Sequence, residues 1–356
     1  MGYKERLKII QNIEKARNSK VLCLLTSLRP NLPAQMAEDQ VRQIYDHLLS
    51  LREIQGGEIT KIDVFLVSNG GSGTVPWRIV SLLREFSKQF AVIIPYRAYS
   101  AASLLALGAD EILMHPFGEM GPIDPSVSNE YNPTDPVSRQ RLAISVEDVR
   151  AYVNFIKETV GITHEDELIK AVEVLVEKVH PLALGNIERF ISQSRMIAKK
   201  ILRTHMRTDD ERIIDDIIEN MASKLYFHGH PINRLEAKND LKLKVNTELS
   251  PNLEKDIWDM YLDYESEFEN KSTFNPAGDL ANLIEVTPES IMKPQFATKV
   301  YDNLLHSVVE SSVMSCRFVT KRRYTITRMF GPQGPQTLIQ EDILEQGWNC
   351  SLAPKV

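Results

Sequence analysis

Short unbroken apolar runs alternate with longer stretches in which apolar residues recur every three or four positions. Residues 4–18 carry the helical period. "VLCLLTS" (21–27) is a continuous apolar run of the kind that fills a buried strand. In "AEDQVRQIYDHLLSLREI" (37–54), Val41, Ile44, Tyr45, Leu48 and Leu51 fall on one helical face. "KIDVFLVS" (61–68) reads as a second strand. "VPWRIVSLLREFSKQF" (75–90) reads as a helix, with Ile79, Leu82, Leu83 and Phe86 on one side. "AVIIPY" (91–96) is a third strand, "SAASLLALG" a short helix closed by Gly108, and "DEILMHP" (110–116) a fourth strand. Strands that alternate with helices predict an α/β fold with a mainly parallel sheet.

The pattern changes after Pro116. "FGEMGPIDPSVSNEYNPTDPVS" (117–138) is rich in proline and glycine and predicts an extended loop. From about 145 to 225 the period is helical. The last of these helices, 209–227, is acidic at its start and lysine-bearing near its end, as the helix dipole favours. Residues 236–295 are polar and irregular apart from an amphipathic piece around Leu253–Tyr264. In the tail, "SCRFVTKRRYTITRMF", "GPQGPQ" and "TLIQED" predict a hairpin. A soft boundary near 240 divides the chain into residues 1–240 and an extension, 241–356.

Composition removes several classes of function. The chain has 356 residues, 43% of them hydrophobic and 25% charged, as in an ordinary globular protein. The net charge of −6 gives no reason to expect nucleic acid or an anionic membrane as partner. The apolar runs are too short for a membrane span, and the N-terminus lacks the apolar core of a signal peptide. Cys23, Cys316 and Cys350 are odd in number and far apart. They predict no disulfide framework and fit a reducing, cytoplasmic setting.

The chemistry converges on the carboxyl ends of the predicted strands, where open α/β sheets bind ligands. "SNGGSG" follows the second strand, "YSAAS" the third and "HPFG" the fourth. The adjacent Gly70 and Gly71 can turn backbone N–H groups toward an oxyanion or can simply make a tight turn. Ser100 stands at a strand-to-helix elbow. There it is either a nucleophile beside the helix's first N–H groups or an N-cap. Ser103, one turn on, suits close packing. His115 ends the next strand and is either a general base or a strand-end residue satisfied by backbone. Asp124, in "GPIDP", can orient a histidine or cap a turn. His180 reads as a loop or helix-start residue. His228 and His230 form an HxH pair without companion ligands at metal spacing.

The segments "FLVSNGGSG" and "YSAASLLALGADEILMHPFGEMGPIDPS", with "SVEDV", "VHPLALGN" and "HGHPIN", resemble the serine dehydrogenase proteinase group of ClpP-class serine peptidases. That group lies in the ClpP/crotonase superfamily, beside signal peptide peptidase A and the NfeD-type proteases. The resemblance covers about residues 5–245. It implies a ClpP/crotonase-like, mainly parallel sheet with flanking helices, followed by a smaller C-terminal α+β extension. It also implies a serine endopeptidase. Ser100 matches the nucleophile, while Gly70 and Gly71 match the oxyanion-hole glycines, with the Ala101 N–H as second donor. His115 matches the ClpP base and Asp124 its third member. Lys157 and His228 are reserves, because some relatives use a lysine. Asn69 stands where relatives have proline, and Ala102 and Leu104 replace a glycine-rich pattern.

The resemblance implies no metal or organic cofactor. It implies a protein or peptide substrate, a homo-oligomer, and no nucleic acid. Two other classes stay open: a catalytically inactive ClpP-like module that binds peptides or partners, and crotonase-type acyl-CoA chemistry. The latter would leave the serine elbow without a purpose.

Overall fold

A computed structural model of the chain describes residues 2–123, 126–127, 130–135, 141–142, 144–207, 210–224, 230–284, 295–331 and 334–353. The chain opens with α1 (Tyr3–Arg17), β1 (Lys20–Thr26), α2 (Glu38–Gln55) and β2 (Ile59–Val67). Then come α3 (Val75–Phe86), β3 (Ser87–Ile94), β4 (Arg97–Ala98), α4 (Ala101–Ala106), β5 (Glu111–Met114) and β6 (Glu119–Met120). β7 (Ser126–Val127) and β8 (Ile144–Ser145) pair with each other. The helical region follows as α5 (Val146–Asn154), α6 (Glu165–Lys178), α7 (Pro181–Leu202) and α8 (Glu211–Glu219). β9 (Ile232–Asn233), α9 (Arg234–Asn239) and β10 (Val245–Asn246) lead to α10 (Pro251–Glu267) and α11 (Pro276–Ala281). The tail is β11 (Gln295–Ser311), β12 (Met314–Gly331) and β13 (Gly334–Leu352).

Two units divide the chain. The first holds residues 1–69, 86–88 and 249–356; the second holds residues 70–85 and 89–248. The first unit therefore joins the start of the chain to its end. Its strands run in the order β2-β1-β11-β12-β13. β1 and β2 are parallel, with Leu22 opposite Val64 and Leu24 opposite Leu66. β1 is buried along almost its whole length, which explains why it reads as an unbroken apolar run. The other edge of β1 takes β11 in antiparallel register, Leu22 opposite Ser311. The sequence pattern leaves β11 unassigned, although "LLHSVVES" carries a short apolar run. β12 and β13 form the predicted hairpin.

One buried ionic cluster ties α1, α10 and β11 together. Arg6 is fully buried. Its Nε and Nη2 donate to the two Glu310 oxygens at 2.8 and 3.1 Å, and Nη1 donates to Asp263. Its guanidinium lies 4.3 Å from the Tyr264 ring centroid, and the Tyr264 hydroxyl donates to Glu310 at 2.8 Å. These groups make a buried charge tolerable because each is paired and hydrogen-bonded.

The cysteine expectation is corrected here. Cys316 and Cys350 form a disulfide, and Cys23 is the free, buried thiol. The two partners are 34 residues apart in sequence but directly opposite in the β12–β13 register. Spacing along the chain hides a pairing that the hairpin creates.

In the second unit, parallel β3, β5 and β10 run in the order β10-β5-β3. The helix expected over 75–90 stops at Phe86, and β3 begins at once with Ser87. The Phe90 N–H donates to Asp110 Oδ2 at 2.9 Å, which holds this segment extended. Arg84 donates to Asp110 at 2.7 Å and to the Gly108 carbonyl at 2.7 Å. Ile93, Leu105, Leu113 and Ile201 are fully buried. Within the predicted loop, β6 pairs with both β4 and β9. No helix of the described residues is long and apolar enough to cross a membrane.

Candidate active site

β3 ends at Ile94, and the chain reaches Ser100 through β4. Ser100 has φ 52° and ψ −115°. That is outside the left-handed helical well, which centres near φ of about +57° and ψ of about +47°. A non-glycine residue held there stores on the order of 1–3 kcal/mol of strain, so its surroundings must over-determine it. Ser100 stands at the N-cap of α4 but makes no side-chain cap hydrogen bond. The capping reading of this serine therefore fails. Its backbone carbonyl accepts from Leu104 N–H at 3.0 Å, while the half-buried hydroxyl is spent on no cap.

The surroundings that hold the elbow are visible. Gly70 has φ +94°, a conformation L side chains rarely adopt. A Cβ added there would stand 2.6 Å from the Tyr99 carbonyl oxygen, 2.8 Å from Ser100 Cβ and 2.9 Å from Ala101 N. Only glycine lets the loop after β2 lie against the elbow. Gly71 follows with φ +155°. Ala101 N–H occupies the first position of α4, where no intrahelical acceptor exists.

On the other side, the Tyr99 ring packs on Gly121, where a Cβ would meet Tyr99 Cγ at 2.8 Å. The Tyr99 hydroxyl donates to Glu119 at 2.8 Å and Arg97 Nε donates to the same oxygen at 2.9 Å. Burial and the adjacent Glu119 carboxylate keep the Tyr99 phenol well above its ordinary range.

Ser103 is fully buried. Its hydroxyl lies 2.7 Å from both the Ala98 and Gly121 carbonyls, sharing one proton between them, and accepts from Gly121 N–H at 3.2 Å. Ser103 is thus a pin between the strand before the elbow and the "GPID" loop. This fits the close-packing role that the sequence pattern gives Ser103, one turn after the elbow.

His115 directly follows β5, whose Met114 is paired with Ile94 of β3. Its N–H donates to the Ile94 carbonyl at 3.0 Å. Its Nδ1 accepts from Phe117 N–H at 3.1 Å. A neutral ring in that arrangement carries its proton on Nε2, the tautomer opposite to the one a base accepting at Nε2 needs. Ile123 is fixed by Met221 O, at 3.0 Å, and by the Ser194 hydroxyl, at 2.7 Å. Asp124 and His228 lie outside the described residues. Lys157 is exposed on the segment Phe155–Thr159. His180 caps α7, accepting from Leu182 N–H at 3.1 Å. His230 pairs with Glu236 at 2.8 Å. Among the described residues no cluster of three or more metal-ligating side chains occurs.

A feature that sequence reasoning missed borders the elbow. Phe117, 55% exposed, stacks on Tyr96 at 5.0 Å and 16°. The Arg97 guanidinium lies over the Tyr96 and Tyr99 rings at 4.8 and 4.9 Å. Together they form an aromatic shelf suited to an apolar or aromatic group. The aromatic residues spaced along 96–117 are its sequence signal.

Residues 2–141 match the family of ClpP-like SDH-type serine proteinases. This is the family that the sequence segments resemble. Among curated proteins, the chain is similar to two uncharacterized proteins of Methanocaldococcus jannaschii. MJ1495 is 32% identical over 124 residues, covering 35% of this chain and 42% of that protein. MJ0137 is 28% identical over 130 residues, covering 36% of this chain and 46% of that protein. The chain thus matches less than half the length of each relative. The ClpP-like SDH-type match takes in Gly70, Gly71, Ser100, Ala101 and His115.

Proposed function

We propose that the chain is a serine peptidase that cleaves peptide bonds through Ser100. The observation that carries this reading is the Ser100 backbone, held at φ 52° and ψ −115° with its hydroxyl kept off the helix cap. The ClpP-like SDH-type proteinase match supports it. Ser100 Oγ attacks the peptide carbonyl, and the N–H groups of Ala101 and of the Gly70–Gly71 loop stabilise the oxyanion. His115 takes the hydroxyl proton and returns it to the leaving amine, with Asp124 orienting the ring. Water then resolves the acyl-enzyme. For this, the Phe117 N–H must release His115 Nδ1, since the base tautomer is protonated there. The aromatic shelf offers a place for an apolar side chain beside the scissile bond.

The reading assigns the chemistry to residues 1–240 and treats 241–356 as an extension outside it. The substrate is a protein or peptide, and the chain works as a homo-oligomer. A fluorophosphonate probe tests the nucleophile: it labels the wild type and not Ser100→Ala. Equal labelling of the Ser100→Ala protein would defeat the assignment.

The engaged His115 Nδ1 favours a second reading, a non-catalytic module that binds extended peptides with the same fold. That reading gives peptide binding without probe labelling of the folded wild type.

A further inference from the structure

β13 ends the strand order of its unit, so among the described residues one of its two edges is unpaired. An open edge of 19 residues presents a row of free N–H and C=O groups. Proteins blunt such edges with charge, proline or short length. The middle of β13 does the reverse. Leu338, Ile339, Ile343 and Leu344 are 61, 43, 53 and 41% exposed. The charges among them are neutralised within the hairpin: Glu341 pairs with Arg322 at 2.6 Å and Asp342 with Arg323 at 2.9 Å. The one like-charge contact that a like edge makes about Glu341 is Glu341 opposite Glu341, and each of these carboxylates carries its own Arg322.

The sequence of the segment is almost the same read in either direction: Leu338, Ile339, Gln340, Glu341, Asp342, Ile343, Leu344. Two copies set antiparallel about Glu341 bring Ile339 opposite Ile343 and Gln340 opposite Asp342. The first pair is apolar. In the second, an amide donor meets a carboxylate, a contact these two side chains already make within one chain at 3.2 Å. Opposed residues share a face of the extended sheet, so the symmetry keeps like with like. The bulge at Leu344, between Ile343 opposite Arg322 and Glu345 opposite Lys321, bounds this core and sets Leu344 beside Leu338 of the second copy.

We propose that β13 is a homodimer interface, its open edge pairing antiparallel with β13 of a second copy across a two-fold axis at Glu341. An isologous contact of this kind closes on itself and does not propagate.

The test is sedimentation equilibrium of the full chain over a concentration series, for wild type and for Ile339→Lys/Ile343→Lys. Both side chains are exposed, so the variant keeps its fold, which a melting curve checks. The wild type doubles its mass with concentration, and the variant raises the dissociation constant by about tenfold or more. Mild oxidation of engineered cysteines then reads the register. The native thiols do not interfere, being bridged (Cys316–Cys350) or buried (Cys23). Glu341→Cys cross-links to itself. Gln340→Cys and Asp342→Cys cross-link when mixed and far more slowly alone. A wild type and variant that associate identically would overturn the proposal. So would a wild type that stays monomeric, as it would if another protein's strand is the occupant, or a Gln340→Cys chain that cross-links to itself as fast as Glu341→Cys.

Discussion

Ser100 and Gly70 carry the account at the scale of single residues. Ser100 sits in a conformation that costs energy, and the cost is met by neighbours on both sides: the Gly70 loop, the Tyr99 ring on Gly121 and the Ser103 pin. Replacing Ser100 by glycine relaxes the backbone and removes the hydroxyl. The expected outcome is a protein more stable by about 1 kcal/mol and inert to the probe, checked by denaturant unfolding and by labelling. A stabilised dead variant marks a residue kept for function. Gly70→Ala drives a methyl group into backbone at 2.6 Å. Its expected effect is a drop in turnover of roughly 10²–10³, the size of losing an oxyanion donor, with far-ultraviolet circular dichroism unchanged. Both residues are visible in the sequence as types in the right order. Their strain is not, because φ and ψ are set by what packs against the elbow.

The strands and helices of the first 116 residues follow their periodicity closely, since buried parallel strands and amphipathic helices have distinct signatures. The exceptions are instructive. The α3–β3 junction falls at Phe86–Ser87 because Asp110, more than twenty residues away, accepts the Phe90 N–H, and no local pattern records that bond. β11 goes unassigned because only its second half is buried, so its first half shows no apolar run. The buried Arg6 is equally invisible, being one charged residue in a charged helix. Its partners Asp263 and Glu310 come from the far end of the chain. Arg6→Met is expected to destabilise by about 3–5 kcal/mol, because it leaves two carboxylates buried without their cation. Urea unfolding checks this. A loss of under about 1 kcal/mol would mean that the cluster adds little.

For the whole molecule, the first unit binds the N-terminal α/β strands to the C-terminal sheet, and two histidines in that unit give stability a pH dependence. His47 is fully buried with Nδ1 2.8 Å from Ser311 Oγ, and burial pushes its pKa down to about 4. His306 is lowered to about 4 by burial and then by Arg322, against a smaller opposing effect of Glu341. The unfolded chain binds these protons near an ordinary histidine pKa of about 6.5, so it holds more protons than the folded chain between there and pH 4. Stability is therefore full above about pH 6.5 and falls as the pH drops toward 4. His47→Gln is expected to flatten that acid-side fall by up to roughly 3 kcal/mol, read from melting temperatures between pH 7 and 4.5. An unchanged slope would show that His47 is not a source of it.

The central claim is that Ser100 is a nucleophile, and the most direct measurement locates a covalent adduct. The folded wild type is treated with a fluorophosphonate, digested and mapped by mass spectrometry. The account predicts a single adduct on Ser100, absent after Ser100→Ala and sharply reduced in Gly70→Ala. An adduct on Ser103, or no adduct on folded wild type, would contradict it.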